Sequence, residues 1–186
     1  MPHYLHPYSI FCSYNTNYYA DGKEFEIMKT IIIYSSQTGF TERYAKWLAD
    51  ELSAETITLA DAKKKNDDYF KEADAIVYGG WAMGGNIVNS EWFKSKLPQW
   101  KGKKLVLFCV GASPNELPDV ETALHNALTD DERKYAKAFY CQGGIAYEKM
   151  KFPSKLMMKA FAKMVRNKKG CNTAGEGYGR DDFALI

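Results

Sequence analysis

Four apolar runs, each ending in small or hydroxyl residues, constrain this chain more than any other feature. The first, Thr30–Tyr34, is a continuous β-branched run of the kind buried on both faces of a sheet. The others cover residues 74–80, 104–110 and 138–142. Helical spacing separates them. Residues 43–52 place Tyr44, Trp47, Leu48 and Leu52 on one face; a further helix is predicted near Ser90–Lys96, and helical residues between 119 and 136. Residues 55–60 alternate more weakly and read as an edge strand. A charged connection at 61–68 then leads to a short helical turn at 69–73. Buried strands alternating with helices predict a three-layer α/β/α domain, doubly wound on a parallel five-stranded sheet, which suits the order 2-1-3-4-5. The predicted strand ends at Ser35, Gly79 with Gly80, Gly111, and Gly143 with Gly144 then converge on one rim. Ligands of such sheets sit at the carboxyl ends of the strands.

The first of those ends carries the chemistry. Ser35, Ser36, Gln37, Thr38, Gly39, Phe40 and Thr41 form a hydroxyl-rich turn between the first strand and its helix. This arrangement aims backbone N–H groups and the positive helix end at one spot, which suits a phosphate. Gly39 allows close backbone approach. The loop lacks the Gly-Lys-Ser/Thr of a triphosphate-binding loop and the three spaced glycines of a dinucleotide fold. A terminal monophosphate held by neutral donors fits better. A turn that merely caps its helix is the plainer alternative.

Ser36-Gln37-Thr38-Gly39-Phe40-Thr41 resembles, position by position, the Ser/Thr-x-Thr-Gly-x-Thr loop of the flavodoxin family. The resemblance implies a flavodoxin-like fold with FMN as cofactor, its phosphate on this loop. It further implies that Gly80, Trp81, Ala82, Met83 and Gly84, read as part of the loop 81–86, flank the isoalloxazine ring. Trp81 is then a stacking platform. Gly111, Ala112, Ser113, Pro114 and Asn115 form the opposite wall.

At 186 residues the chain is read as one domain with a sizeable core. No stretch reaches the roughly 18 apolar residues of a spanning helix, and the first 20 residues lack a signal-peptide pattern. Cys12, Cys109, Cys141 and Cys171 stand singly, without metal-ligand spacing, so no metal is expected. They read as reduced thiols of a cytoplasmic protein, with Cys109 and Cys141 in core strands. Residues 1–27 hold seven Tyr and Phe residues with no period. They are expected to be a disordered leader, or upstream sequence if Met28 is the physiological start. Lys23-Glu24, encodable as a ribosome-binding sequence, favours the second view. The domain proper is expected over 28–168, followed by a Gly-rich tail at 169–186.

Charge is uneven. The formal net is only +2, yet residues 133–168 carry ten Lys/Arg against the single acid Glu148. Residues 152–166 form a basic amphipathic helix with Lys155, Lys159 and Lys163 at four-residue spacing. Its Lys face is either solvated or set against an anionic surface such as the inner face of a membrane. The Gly-Gly-x-x-Tyr pattern at 143–147, followed by this Met/Phe-rich helix, is similar to the menaquinone-dependent protoporphyrinogen dehydrogenases of bacteria. That similarity implies a quinone acceptor and a porphyrinogen donor, with Lys149, Lys151 and Lys155 meeting propionates or headgroups. It assigns no catalytic acid or base. A diffusible flavodoxin-type electron carrier and a flavin-free interaction module are the alternatives, and nucleic acid is not an expected partner. After Lys169 the chain is too Gly-rich for the final helix of such a fold. Either the helix at 154–166 fills that place beside the first helix, or the sheet face stays bare.

Overall fold

The computed structural model describes residues 28–167. The predicted leader, the predicted tail, Cys12 and Cys171 lie outside the described residues. β1 (Thr30–Tyr34) leads into α1 (Phe40–Leu52), then β2 (Glu55–Thr58), α2 (Leu59–Ala62) and α3 (Asp67–Lys71). β3 (Ala75–Met83), β4 (Asn86–Ile87) and α4 (Ser90–Lys96) follow. β5 (Lys104–Gly111), α5 (Pro118–Ala127), β6 (Ala136–Gln142) and α6 (Phe152–Asn167) complete the described chain.

The sheet has the order β2-β1-β3-β5-β6, with these neighbours all parallel, and β4 pairs antiparallel with β3 at its edge. The five long strands therefore follow the order expected. Alternation along β1 explains why the sheet is covered twice. Ile31 and Ile33 face one core, Ile32 faces the other, and each is at most 1% exposed. Burying each isoleucine stabilises the fold by about 1.5–3 kcal/mol. One core is aromatic: Tyr78 stacks on Phe93 at 5.6 Å, and Phe93 and Phe70 both approach Trp100. The other packs Ile32, Val77, Phe108 and Val110 against Ala45 of α1. Cys109 and Cys141 are buried, one in each core.

Three expectations need correction, each for a local chemical reason. The strand expected over 55–60 stops at Thr58, whose hydroxyl accepts from the Asp61 N–H at 3.2 Å and starts α2. The turn expected at 69–73 is α3, begun earlier because Asn66 accepts from the Tyr69 N–H. Helical residues do lie between 119 and 136, divided at Leu128, which is extended and ends α5 at Ala127. There Thr129 and Glu132 form a reciprocal capping box, which opens a separate turn. The loop expected at 81–86 is a hairpin: Trp81, Ala82 and Met83 continue β3, and Gly84 and Gly85 turn it at φ 59° and 74°. Two successive positive φ values make the tight turn that suits the twist of paired strands. Gly79 and Gly80 consequently lie inside β3 rather than at its end.

α6 does not cover the sheet beside α1. Among the described side chains it contributes to neither core cluster. It stands instead at the rim.

Candidate cofactor site at the sheet rim

A cavity of about 470 Å³ opens at the carboxyl end of the sheet. The hydroxyl loop and α1 supply Gln37, Thr38, Phe40 and Thr41 to its lining. The β3 hairpin supplies Trp81, Ala82, Met83, Gly84 and Gly85, and the end of β5 supplies Val110, Gly111, Ala112 and Ser113. Ser35, Ser36, Gly39, Gly80, Pro114 and Asn115 are not on the lining. Several of them shape it from behind.

The loop is held by its own polar groups. The Ser36 hydroxyl accepts from the Gly39 N–H at 3.2 Å, and Gly39 takes φ 96°, a conformation natural only to glycine. No side chain caps α1, whereas Thr58 and Asn66 cap α2 and α3. The first turn of α1 thus meets the cavity with its N–H groups unclaimed by a capping side chain, next to Thr38 and Thr41. Neutral donors at a helix start attract an anion by directed dipoles, without a lysine.

Ser35 is anchored rather than exposed to the cavity. Its N–H donates to the Gly79 carbonyl at 2.9 Å, and the Asn89 amide donates to its hydroxyl at 3.0 Å. Asn89 precedes α4 at φ 62° and makes no cap to its own helix. Tyr78 completes this brace by donating to the Val88 carbonyl at 3.0 Å, and burial pushes its phenol pKa upward. Gly80 is explained by the same corner. A Cβ there would lie 2.7 Å from the Ile87 side chain and 2.8 Å from the Val88 carbonyl. Gly111 likewise makes room for Tyr140, whose hydroxyl would be 2.6 Å from an added Cβ. Tyr140 donates to the Ser113 carbonyl at 2.8 Å, setting the bend of that wall.

The remaining walls were not anticipated. α5 contributes Asp119, Val120, Thr122 and Ala123; the chain after β6 contributes Gly144, Ile145 and Met150; and α6 contributes Ser154, Met157 and Met158. A sequence signal for the β6 side existed. Gly143 and Gly144 mark a fourth rim loop equivalent to the other three, and the Gly143 N–H does bond the Gly111 carbonyl. No local signal points to α5 or α6.

The cavity therefore carries hydroxyls at the start of α1 and a largely apolar remainder, with Trp81, Val110, Ile145 and four methionines beside the polar Asp119, Thr122 and Ser154. The flavodoxin domain family model matches residues 31–171. This chain belongs to the flavodoxin domain family. Similar solved structures include a WrbA-like flavodoxin from Agrobacterium tumefaciens, at 20% identity and TM-score 0.46, covering 76% of this chain and 99% of that one. A flavodoxin from Megasphaera elsdenii, solved in its two-electron reduced form, has 24% identity and TM-score 0.43, covering 72% and 98%. A flavoprotein from Lactobacillus acidophilus NCFM, in complex with FMN, has 17% identity and TM-score 0.43, covering 62% and 92%. No curated protein sequence matches the chain. Among the described residues of this flavodoxin domain, no cluster of three or more His, Cys, Asp or Glu could hold a metal, and no helix is long and apolar enough to cross a membrane.

The residues present fit FMN. Its phosphate needs hydroxyl and N–H donors without bulk, which Thr38, Thr41 and the Gly39 turn offer. Its flat ring needs an apolar slot with an aromatic wall, which Trp81 and Val110 offer.

Proposed function

We propose that this flavodoxin domain is an FMN-dependent oxidoreductase acting on small organic molecules, in the manner of a quinone-linked protoporphyrinogen dehydrogenase. The observation that carries this reading is α6, which places Ser154, Met157 and Met158 on the cavity that also holds Trp81 and the phosphate loop. A carrier that passes electrons to protein partners needs an open ring edge. Here a helix forms one wall of the cavity, and flexible methionines provide an adaptable apolar contact for a flat substrate.

In this reading Thr38, Thr41 and the first turn of α1 hold the cofactor phosphate. Trp81 and Val110 would position the ring, with Met157 and Met158 adding apolar wall beside it. FMN, when bound, supplies the electron-transfer chemistry. Lys155, in the first turn of α6, suits a substrate bearing carboxylates. The Lys155 ammonium is steadied by the Glu148 carbonyl at 3.2 Å and lies 5.5 Å from the centre of the Tyr147 ring.

The purified protein should be yellow and should release FMN on denaturation. A colourless protein that takes up no added FMN overturns the flavoprotein reading and leaves an interaction module. The FMN-loaded protein is then assayed anaerobically with protoporphyrinogen IX and menaquinone. Turnover supports the dehydrogenase. Its absence, with rapid reoxidation by a protein acceptor, returns the protein to the carrier class.

A further inference from the structure

α6 has a second face that the cavity does not use. Ser154, Met157 and Met158 point inward to the lining. Phe152, Leu156, Lys159 and Lys163, at offsets of four, seven and eleven from Phe152, lie together on the opposite side. All four are exposed: Phe152 is 79% accessible and Leu156 59%, and Lys159 and Lys163 fall in the same class. Lys151, just before the helix, is exposed as well. A helix whose outer face was simply solvated would not present a phenylalanine and a leucine there at these accessibilities. Apolar side chains interleaved with ammonium groups suit an interface that is itself apolar below and anionic above.

We propose that this outer face of α6 docks on an anionic lipid surface, with Phe152 and Leu156 entering the headgroup boundary and Lys151, Lys159 and Lys163 meeting lipid phosphates. Charge complementarity selects this occupant. Between residues 133 and 168 the cations outnumber the acids ten to one, so a second copy of the same face would repel it. The docking stands apart from the flavin, because none of its residues lines the cavity. It does give the cavity an orientation. Resting on the oxidoreductase reading above, one helix would then set its inner side on the cofactor cavity and its outer side on the membrane.

The test is co-sedimentation of the full chain with vesicles of phosphatidylcholine alone, or with phosphatidylglycerol added, at about 0.1 M and about 0.5 M salt. The expected result is binding to the anionic vesicles only, weakened by salt. K159E/K163E should lower the partition coefficient by about tenfold or more. F152S/L156S should remove the fraction still bound at high salt. Both variants should keep the circular dichroism spectrum and thermal midpoint of the parent, which separates lost docking from lost folding. Failure to sediment with anionic vesicles overturns the proposal. So does equal binding to neutral vesicles, or binding unchanged in K159E/K163E. Concentration-dependent dimerisation abolished by F152S/L156S, without vesicle binding, assigns the face to a second copy instead.

Discussion

α1 and α6 wall the same cavity and are built on opposite principles. α1 is set into the domain: Ala45 is fully buried against Ile32 and Val77, Leu48 and Ala49 pack beside it, and Thr41 is 2% exposed. α6 touches the cavity along one side, and its Met157 remains 52% exposed while also lining the wall. A phosphate held by neutral donors needs those donors fixed to a fraction of an ångström, since their attraction depends on direction. An apolar substrate needs surface and not direction, and methionines on a lightly anchored helix provide it. Rigidity lies at the end proposed to hold the phosphate.

The largest effect should come from matched substitutions on the two helices. Ala45→Leu forces a larger side chain into the closed core and should cost about 1–3 kcal/mol in urea denaturation. Ala160→Leu, on the exposed part of α6, should stay within about 0.5 kcal/mol. Equal costs would mean that α6 is as deeply packed as α1, and the contrast would collapse.

Ligand affinity should divide in the same way. Thr41→Val removes a hydroxyl at the phosphate end and should weaken FMN binding about tenfold or more by titration calorimetry, as loss of a bond to a charged group does. Met158→Leu keeps volume and apolarity, so FMN affinity should change by less than about threefold. The reverse ranking would place the anion elsewhere on the rim.

The smallest effect sharpens the comparison of the two cores. Burial pushes the Cys109 and Cys141 thiols up to about 12 from 9.0. The folded state therefore retains these protons after the unfolded state has released them. The stability they contribute is complete below pH 9 and is lost as pH rises toward 12. Denaturant midpoints should fall through that window. In native protein at pH 8 both should resist alkylation, with Cys141, 8% exposed on the α1 side, reacting before Cys109, which is fully buried. Rapid labelling of Cys109 would show that the aromatic core is the looser of the two.

Much of the fold could be read from the chain because its signals are local. The β-branched run at 30–34 and the apolar runs near 75, 105 and 138 need only strand alternation and helical spacing to be recognised. The hydroxyl loop was equally legible, since its motif lies within seven consecutive residues. The errors fell where two local readings compete. Thr58 looks like strand continuation until its hydroxyl is seen to accept from the Asp61 N–H and start α2, and Gly84 with Gly85 look like a loop until β4 is seen to pair back on Met83.

By itself the sequence determined the strands, the helices that alternate with them and the hydroxyl turn, because each depends on residues adjacent in the chain. Tertiary structure decided the rest of the site. Asn89 braces Ser35 across 54 positions, and α6 reaches the cavity from more than a hundred residues beyond the phosphate loop. Neither relation leaves a trace in local spacing. Folding alone brings such side chains within hydrogen-bonding or van der Waals range, and it also decides which face of α6 is left for a partner.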